Sequence, residues 1–168
     1  MFVMETERLN LRWVEVRDAE FILKLLNEPS WINYIGDKGI HSLDDAVAYI
    51  ESGPRAMYKQ EGFGLFLTEL KDNHIPIGLC GLINRDGLED VDIGFAFLAD
   101  YQSKGYAFEA ARQTVAFAKE IGLQRIVAIT TKDNHSSSRL LEKLGMEFDG
   151  YKTLPNDTEE LKQYKLEL

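Results

Sequence analysis

VDIGFAFLADYQSKGYAFEAA, residues 91–111, passes from an alternating apolar run through a turn into small residues at helical spacing. On a strand over 91–98, bulky Val91, Ile93, Phe95 and Phe97 fall on one face, and Asp92, Gly94 and Ala96 on the other. Beyond the turn, Ala107, Ala110, Ala111, Thr114, Val115, Ala118 and Ile121 keep helical spacing, and Gly122 ends the run. RIVAITT, residues 125–131, then reads as a short apolar strand. Strand, helix and strand in this order predict a right-handed crossover between parallel neighbours.

The flanking segments demand the opposite pairing. GFGLFLTEL (62–70), IGLCGLINR (77–85) and VDIGFAFL are broken by turns at KDNHIP and RDG, which predicts an antiparallel meander. NHSSSRLLEKLG (134–145) predicts a helix with its own glycine stop, and MEFDGYKTL with LKQYKLEL a closing hairpin. Upstream, TERLNLRWVEV (6–16) places Leu9, Leu11 and Trp13 on one side and Arg8, Asn10 and Arg12 on the other, the period of a half-buried strand. Asp18 is expected to cap a helix through Leu26, and Ser42 a helix over LDDAVAYI (43–50) that Gly53-Pro54 breaks or restarts. Together these elements predict a mixed α/β sheet.

Length and composition bound the rest. The 168 residues suit one domain, 1–168, and no linker, repeat or low-complexity segment divides them. Apolar residues at 45% and charged residues at 28% fit a globular chain, and no stretch approaches a membrane span. The start, MFVMETERLN, lacks the pattern of a signal peptide, so a cytoplasmic protein is expected, with no membrane partner. A single cysteine, Cys80, excludes an intramolecular disulfide, and its IGLCGL setting points to a core residue. His41, His74 and His135 share no metal-ligand spacing, so no metal is expected. A net charge of −9 argues against unspecific nucleic-acid binding and is mildly friendly to a cationic partner.

Residues 100–111 carry the chemistry. A helix start exposes unpaired amides and about half a positive charge, so it can hold a phosphate without any basic side chain. Gly105 and Ala107 keep the backbone approachable, while Gln102, Ser103 and Lys104 can add donors. A glycine here also serves a plain tight turn. Aspartate and glycine are poor strand formers, so the Asp92, Gly94 and Ala96 face reads either as space for a ligand or as a small packed face.

Gln102-Ser103-Lys104-Gly105-Tyr106-Ala107, after a strand and opening a helix, resembles the Q/R-x-x-G-x-G/A motif of the GCN5-related N-acetyltransferases. Thr6-Glu7-Arg8-Leu9 with Leu11-Arg12, then Asp18-Ala19, resembles the start of the ribosomal-protein branch, the RimJ and RimL type. Ile93-Gly94-Phe95, Glu109-Ala110, Asn134 to Ser137 and Glu142-Lys143-Leu144-Gly145 recur there in the same order. The resemblance implies a mainly antiparallel sheet whose central parallel strands, Asp92–Leu98 and Arg125–Thr131, splay apart to admit acetyl-CoA. It implies that pantetheine pairs with backbone of Phe97, Leu98 and Ala99, that the pyrophosphate sits on amides of Gln102, Ser103, Lys104, Gly105, Tyr106 and Ala107, and that Asn134 bonds the pantetheine. Asn134 can cap its helix at the same time.

Acetyl transfer to nitrogen needs a neutral amine. At pH 7 roughly a tenth of an α-amine is neutral, against well under a thousandth of a lysine. Asp92 is the first candidate for a base, directly or through water, with Glu89 and Asp90 behind it; all three also read as a solvated acidic turn. A strand amide near Phe97 can polarise the thioester carbonyl. Many members place a tyrosine in the helix after the Asn motif to protonate the leaving thiolate, and here Leu141 matches it. Ser137, at the N-x-x-S position, is the expected replacement, or a plain helix-start serine. Trp31 and Tyr34, with the loop around Asn156 and Asp157, resemble acceptor-lining segments. The expected partner is an amine acceptor, protein N-terminus or small molecule, for a monomer or homodimer.

Overall fold

In the computed structural model the structure describes residues 2–29, 31, 38–155 and 157–168. Eight strands form one sheet: β1 (Phe2–Glu5), β2 (Leu9–Arg12), β3 (Leu65–Leu70), β4 (Pro76–Ile83), β5 (Asp92–Phe97), β6 (Arg125–Thr130), β7 (Glu147–Lys152) and β8 (Leu161–Glu167). Their spatial order is β1-β2-β3-β4-β5-β6-β8-β7, so the last strand of the chain inserts between β6 and β7. Every neighbouring pair is antiparallel except β5 and β6. Among the described residues the α-helices include α1 (Ala19–Leu26), α2 (Leu43–Ser52), α3 (Pro54–Glu61), α4 (Tyr106–Glu120) and α5 (His135–Lys143).

The two faces of β5 build two cores. Ile93, Phe95 and Phe97 pack with Ala110, Ala111 and Ala118 of α4, whose small residues let the helix lie close to the sheet. Ala96 and Leu98 belong to the opposite core, with Ile22 and Leu25 of α1, Ala46 and Ile50 of α2, and Leu67 and Leu79. Parallel pairing forces the long crossover through α4, and it is brief: Asp92 and Val127 are the only partners in register, joined by Val127 N–H to the Val91 carbonyl at 3.0 Å.

Two expectations upstream need correction. The strand over 6–16 shortens to Leu9–Arg12 and is buried on both faces, while Trp13 is exposed. Arg12 can be interior because its guanidinium donates twice to Asp18, at 2.9 Å each, and once to Glu69, at 2.7 Å. Those bonds, Asp18 first, raise the Arg12 pKa above its ordinary value. Asp18 accordingly makes no side-chain cap on α1; it accepts from Arg12 and from the Glu15 N–H, closing the single turn Val16–Asp18 ahead of the helix. Ser42 does cap its helix, accepting from Asp45 N–H at 3.1 Å, and Gly53-Pro54 restarts the chain as α3. Strand β1 was not legible, since four residues offer too little pattern.

Candidate active site

Beyond Asp92 and Val127 the strands β5 and β6 have no further partners in register, so a cleft opens toward their carboxyl ends. Alternate residues of an antiparallel strand bond to one neighbour. The Leu98 N–H bonds back to the Ile77 carbonyl at 2.9 Å, which turns Ala96 and Gly94 toward β4 and leaves the main-chain groups of Phe95 and Phe97 facing the cleft. One of these, the Phe97 carbonyl, accepts the Gln102 side-chain amide at 2.9 Å. The Ala99 carbonyl accepts the Gln102 N–H at 3.2 Å.

The turn at the cleft mouth is bare for a geometric reason. Gly105 stands at φ 84° as the residue before α4, and Ser103 at φ 62°. The N–H groups of Ser103 to Phe108 have no acceptor among the described residues; Glu109 is the first to bond into the helix, to Gly105 at 3.0 Å. This fan of amides at a helix start is a ready anion site. It is held by residues at the far end of the sequence. Arg8 donates to Glu109 at 2.7 Å and to the Lys104 carbonyl at 3.2 Å, and lies 4.3 Å from the Tyr106 ring centre. Glu109 also accepts from the Arg8 N–H at 2.9 Å and from the Thr6 hydroxyl. These bonds outweigh burial and hold the Glu109 carboxyl below its ordinary pKa.

Asp92 stands at the root of the cleft, 1% exposed. Burial pushes its carboxyl pKa up, and Arg85 pulls it back only in part. Arg85, on the β4–β5 turn, reaches it through Nε at 3.5 Å and Nη2 at 3.4 Å. Val127, its register partner, lines a cavity of about 250 Å³ together with Glu89, Asp90, Arg125, Asp149 and Gln163. Arg125 joins Asp90 at 3.4 Å and Asp149 at 3.1 Å, so Asp90 already has a cationic partner. The small face is only partly open, since a Cβ on Gly94 would meet Ile83 at 3.3 Å and Leu65 at 3.6 Å. A larger cavity, about 480 Å³ beside Glu15, Arg17 and Arg55, holds none of these residues.

Asn134 caps α5, its side-chain oxygen accepting the Ser137 N–H at 3.2 Å, which leaves its amide nitrogen for another acceptor. The Ser137 side chain is half-buried. Leu141 lies in the core. The buried Thr131 hydroxyl, just past β6, has no partner in the described structure. Trp31 packs in the core with α1 and α2, and its indole N–H is likewise unpartnered. Tyr34 and Asn156 lie outside the described residues, and exposed Asp157 accepts from the N–H groups of Thr158 and Glu159. Burial pushes the Cys80 thiol up to about 12, which makes it inert. Among the described residues no helix is long and apolar enough to cross a membrane.

Sequence reasoning missed Arg85, and it had no role for Thr6, Arg8 or Glu109. No local pattern marks them, because each acts through a partner set by the tertiary fold. Thr6, Arg8 and Glu109 entered as part of a resemblance, and Arg8 also as an outward-facing strand residue.

Residues 8–147 match the model of the acetyltransferase (GNAT) domain. The chain is 30% identical over 162 residues to the uncharacterized N-acetyltransferase YnaD of Bacillus subtilis (strain 168), covering 95% of this chain and 92% of that protein. The crystal structure of a GNAT-family acetyltransferase from Bacillus anthracis superposes with a TM-score of 0.81 at 29% identity, over 99% of this chain and 98% of that one. RimL, a ribosomal L7/L12 alpha-N-protein acetyltransferase solved in complex with coenzyme A, superposes with a TM-score of 0.84 over 100% of this chain and 98% of that one. At 13% identity that last likeness is one of fold.

Proposed function

The chain belongs to the GNAT acetyltransferase family and is an acetyl-CoA-dependent acyltransferase, and from that premise we propose that its 168 residues act as one domain that acetylates a primary amine by direct attack in a ternary complex. The observation that carries this reading is the cleft between β5 and β6, with a buried acid at its root and unbonded amides at its mouth.

In this reading the diphosphate of acetyl-CoA lies on the amides of Ser103 to Ala107, and the pantetheine arm pairs along the β5 edge at Phe97 and its neighbours. The Asn134 amide nitrogen donates to the arm while its oxygen keeps the helix cap. Asp92 takes the ammonium proton, directly or through a water, and burial, by raising its pKa, makes it a stronger base than an exposed carboxylate. The neutral amine attacks the thioester carbon, whose oxygen is stabilised by a strand N–H near Phe97. The C–S bond then breaks and the thiolate leaves with modest help, because a thiol pKa near 8.5 makes it a tolerable leaving group; the Ser137 hydroxyl relays to it the second proton that the nitrogen sheds as the amide forms. The buried Trp31, with its unpartnered indole N–H, borders the acceptor side in this reading, and the protein works in the cytoplasm. The acceptor is a protein N-terminal α-amine or a small-molecule amine such as a polyamine, amino sugar or antibiotic.

One observation favours a second reading, a CoA-binding module without turnover: Leu141 is buried in the core at the position where the family resemblance implies a tyrosine acid. Release of CoA thiol from acetyl-CoA over a broad panel of amines, with mass spectrometry of the products, separates the two. Binding of acetyl-CoA without release over the whole panel would remove the catalytic reading.

A further inference from the structure

Asp92 and Arg85 face each other through both carboxylate oxygens and two guanidinium nitrogens, the arrangement of a bidentate ion pair. A closed charge-assisted contact spans about 2.7–2.9 Å, and these span 3.4 and 3.5 Å. The pair is aligned but stretched. Its two members also differ in access: Asp92 is buried, whereas the Arg85 side chain is 35% exposed on the turn between β4 and β5. Arg85 reaches Asp92 through Nε and Nη2 and leaves Nη1 outside the pair. The Tyr49 ring lies within the field of the same guanidinium, whose charge works against the burial that raises the Tyr49 pKa.

A stretched, electrically neutral pair is a poor host for a plain cation. An approaching ammonium is drawn to Asp92 and repelled to a similar extent by Arg85. Both charges are answered at once by a molecule that brings its own anion beside its amine, so that Asp92 receives the ammonium and Arg85 the carboxylate. The guanidinium fork suits a carboxylate better than it suits any neutral group. Displacing a contact already this long costs less than opening a closed one.

We propose that the Arg85–Asp92 pair selects acceptors that carry a carboxylate close to the primary amine, either a free α-amino acid or a peptide whose first side chain is acidic. This inference rests on the acetyltransferase reading above and names its substrate class. Arg85 is the specificity residue: it binds the acceptor's carboxylate and, on doing so, releases Asp92 to the amine. Polyamines, which carry only cations, are disfavoured.

The test is steady-state kinetics with acetyl-CoA and matched acceptors. One arm compares free amino acids with the amines that lack only the carboxylate; the other compares short peptides beginning with Asp with the same peptides beginning with Asn. In at least one arm the carboxylate-bearing member is expected to have a kcat/KM at least tenfold higher, mainly through KM. Arg85→Gln is expected to reduce that preference at least tenfold, and Arg85→Lys to retain part of it, which guards against a folding defect. Equal or better turnover of the carboxylate-free member in both arms overturns the inference, as does turnover confined to polyamines, or an Arg85→Gln effect equal on both members. None of these results touches the acetyltransferase reading, which fails only if no amine at all releases CoA.

Discussion

Arg8 and Glu109 are 101 residues apart in the chain and meet at 2.7 Å, and the same guanidinium holds the Lys104 carbonyl at 3.2 Å. The bond ties the entry of β2 to the first turn of α4 and fixes the path of the turn between them. It also neutralises a carboxylate that would otherwise face any diphosphate bound there.

If the clamp shapes the turn, Arg8→Ala should weaken acetyl-CoA binding by about tenfold, the order expected for losing a charge-assisted hydrogen bond, with kcat nearly unchanged. Glu109→Gln, which keeps the shape of the side chain, should have a smaller effect. Isothermal titration with CoA measures both, and wild-type affinity in both variants would leave the clamp a purely structural tie.

Gly105→Ala tests geometry without charge. At φ 84° a side chain is strained, and its Cβ would lie 3.3 Å from Arg8 Nη2, so a loss of about 1 kcal/mol of stability is expected together with weaker CoA binding. Gly105→Glu should abolish CoA binding altogether. Retained affinity in the glutamate variant would take the diphosphate away from this turn.

The raised pKa of Asp92 makes two opposite predictions for one substitution. A base with its pKa above the ordinary carboxylate range places the acid limb of kcat/KM above that range, and Asp92→Asn should lower turnover and remove the limb. For stability the sign reverses. Because the folded state favours the protonated carboxyl, the stability it contributes is present below the unfolded pKa, about 3.9, and is lost as pH rises through the higher folded value. Asp92→Asn should therefore raise Tm near neutral pH, and the gain should vanish in acid. A wild-type rate profile, or a Tm gain that persists in acid, contradicts the assignment.

Asn134 caps α5, and two substitutions divide that role from the proposed bond to pantetheine. Asn134→Ala should cost about 1 kcal/mol as a lost helix cap and also weaken CoA binding. Asn134→Asp keeps an oxygen for the Ser137 N–H and should keep most of the stability while losing the amide donor to pantetheine. Thermal melts paired with CoA titrations decide: equal CoA affinity in Asn134→Asp and wild type would leave Asn134 as a cap alone.

Arg12 is the structural counterpart. Arg12→Ala leaves the buried Asp18 carboxylate without its cation and the buried Glu69 carboxylate with only the His74 ring, and a loss of about 3–5 kcal/mol is expected. Urea unfolding measures it, and a loss under about 1 kcal/mol would show that water reaches these carboxylates readily.

The elements and the parallel step were legible because they rest on local periodicity. Alternation of bulky and small residues in 91–98, the small stripe from Ala107, and glycine stops at Gly122 and Gly145 are read residue by residue. The turn at Gly105 was legible too, since a backbone amide site needs only a small residue at a helix start. Upstream, β1 was too short to carry a pattern, and Arg12 and Asn10 look solvent-facing until the distant Glu69 and the covering layers are known.

By itself, then, the sequence of this protein determined its strands and helices from β3 onward, the parallel step between β5 and β6, and the bare turn that opens α4. Only the tertiary structure decided which side chains serve them. The separation of β5 from β6 after Asp92, the Arg8 clamp on Glu109 and the stretched Arg85 contact all join residues through space, where chain periodicity carries no information. Local order follows from steric and hydrophobic repeats along the chain, whereas electrostatic partners are fixed only once the packed sheet brings them within a few ångströms.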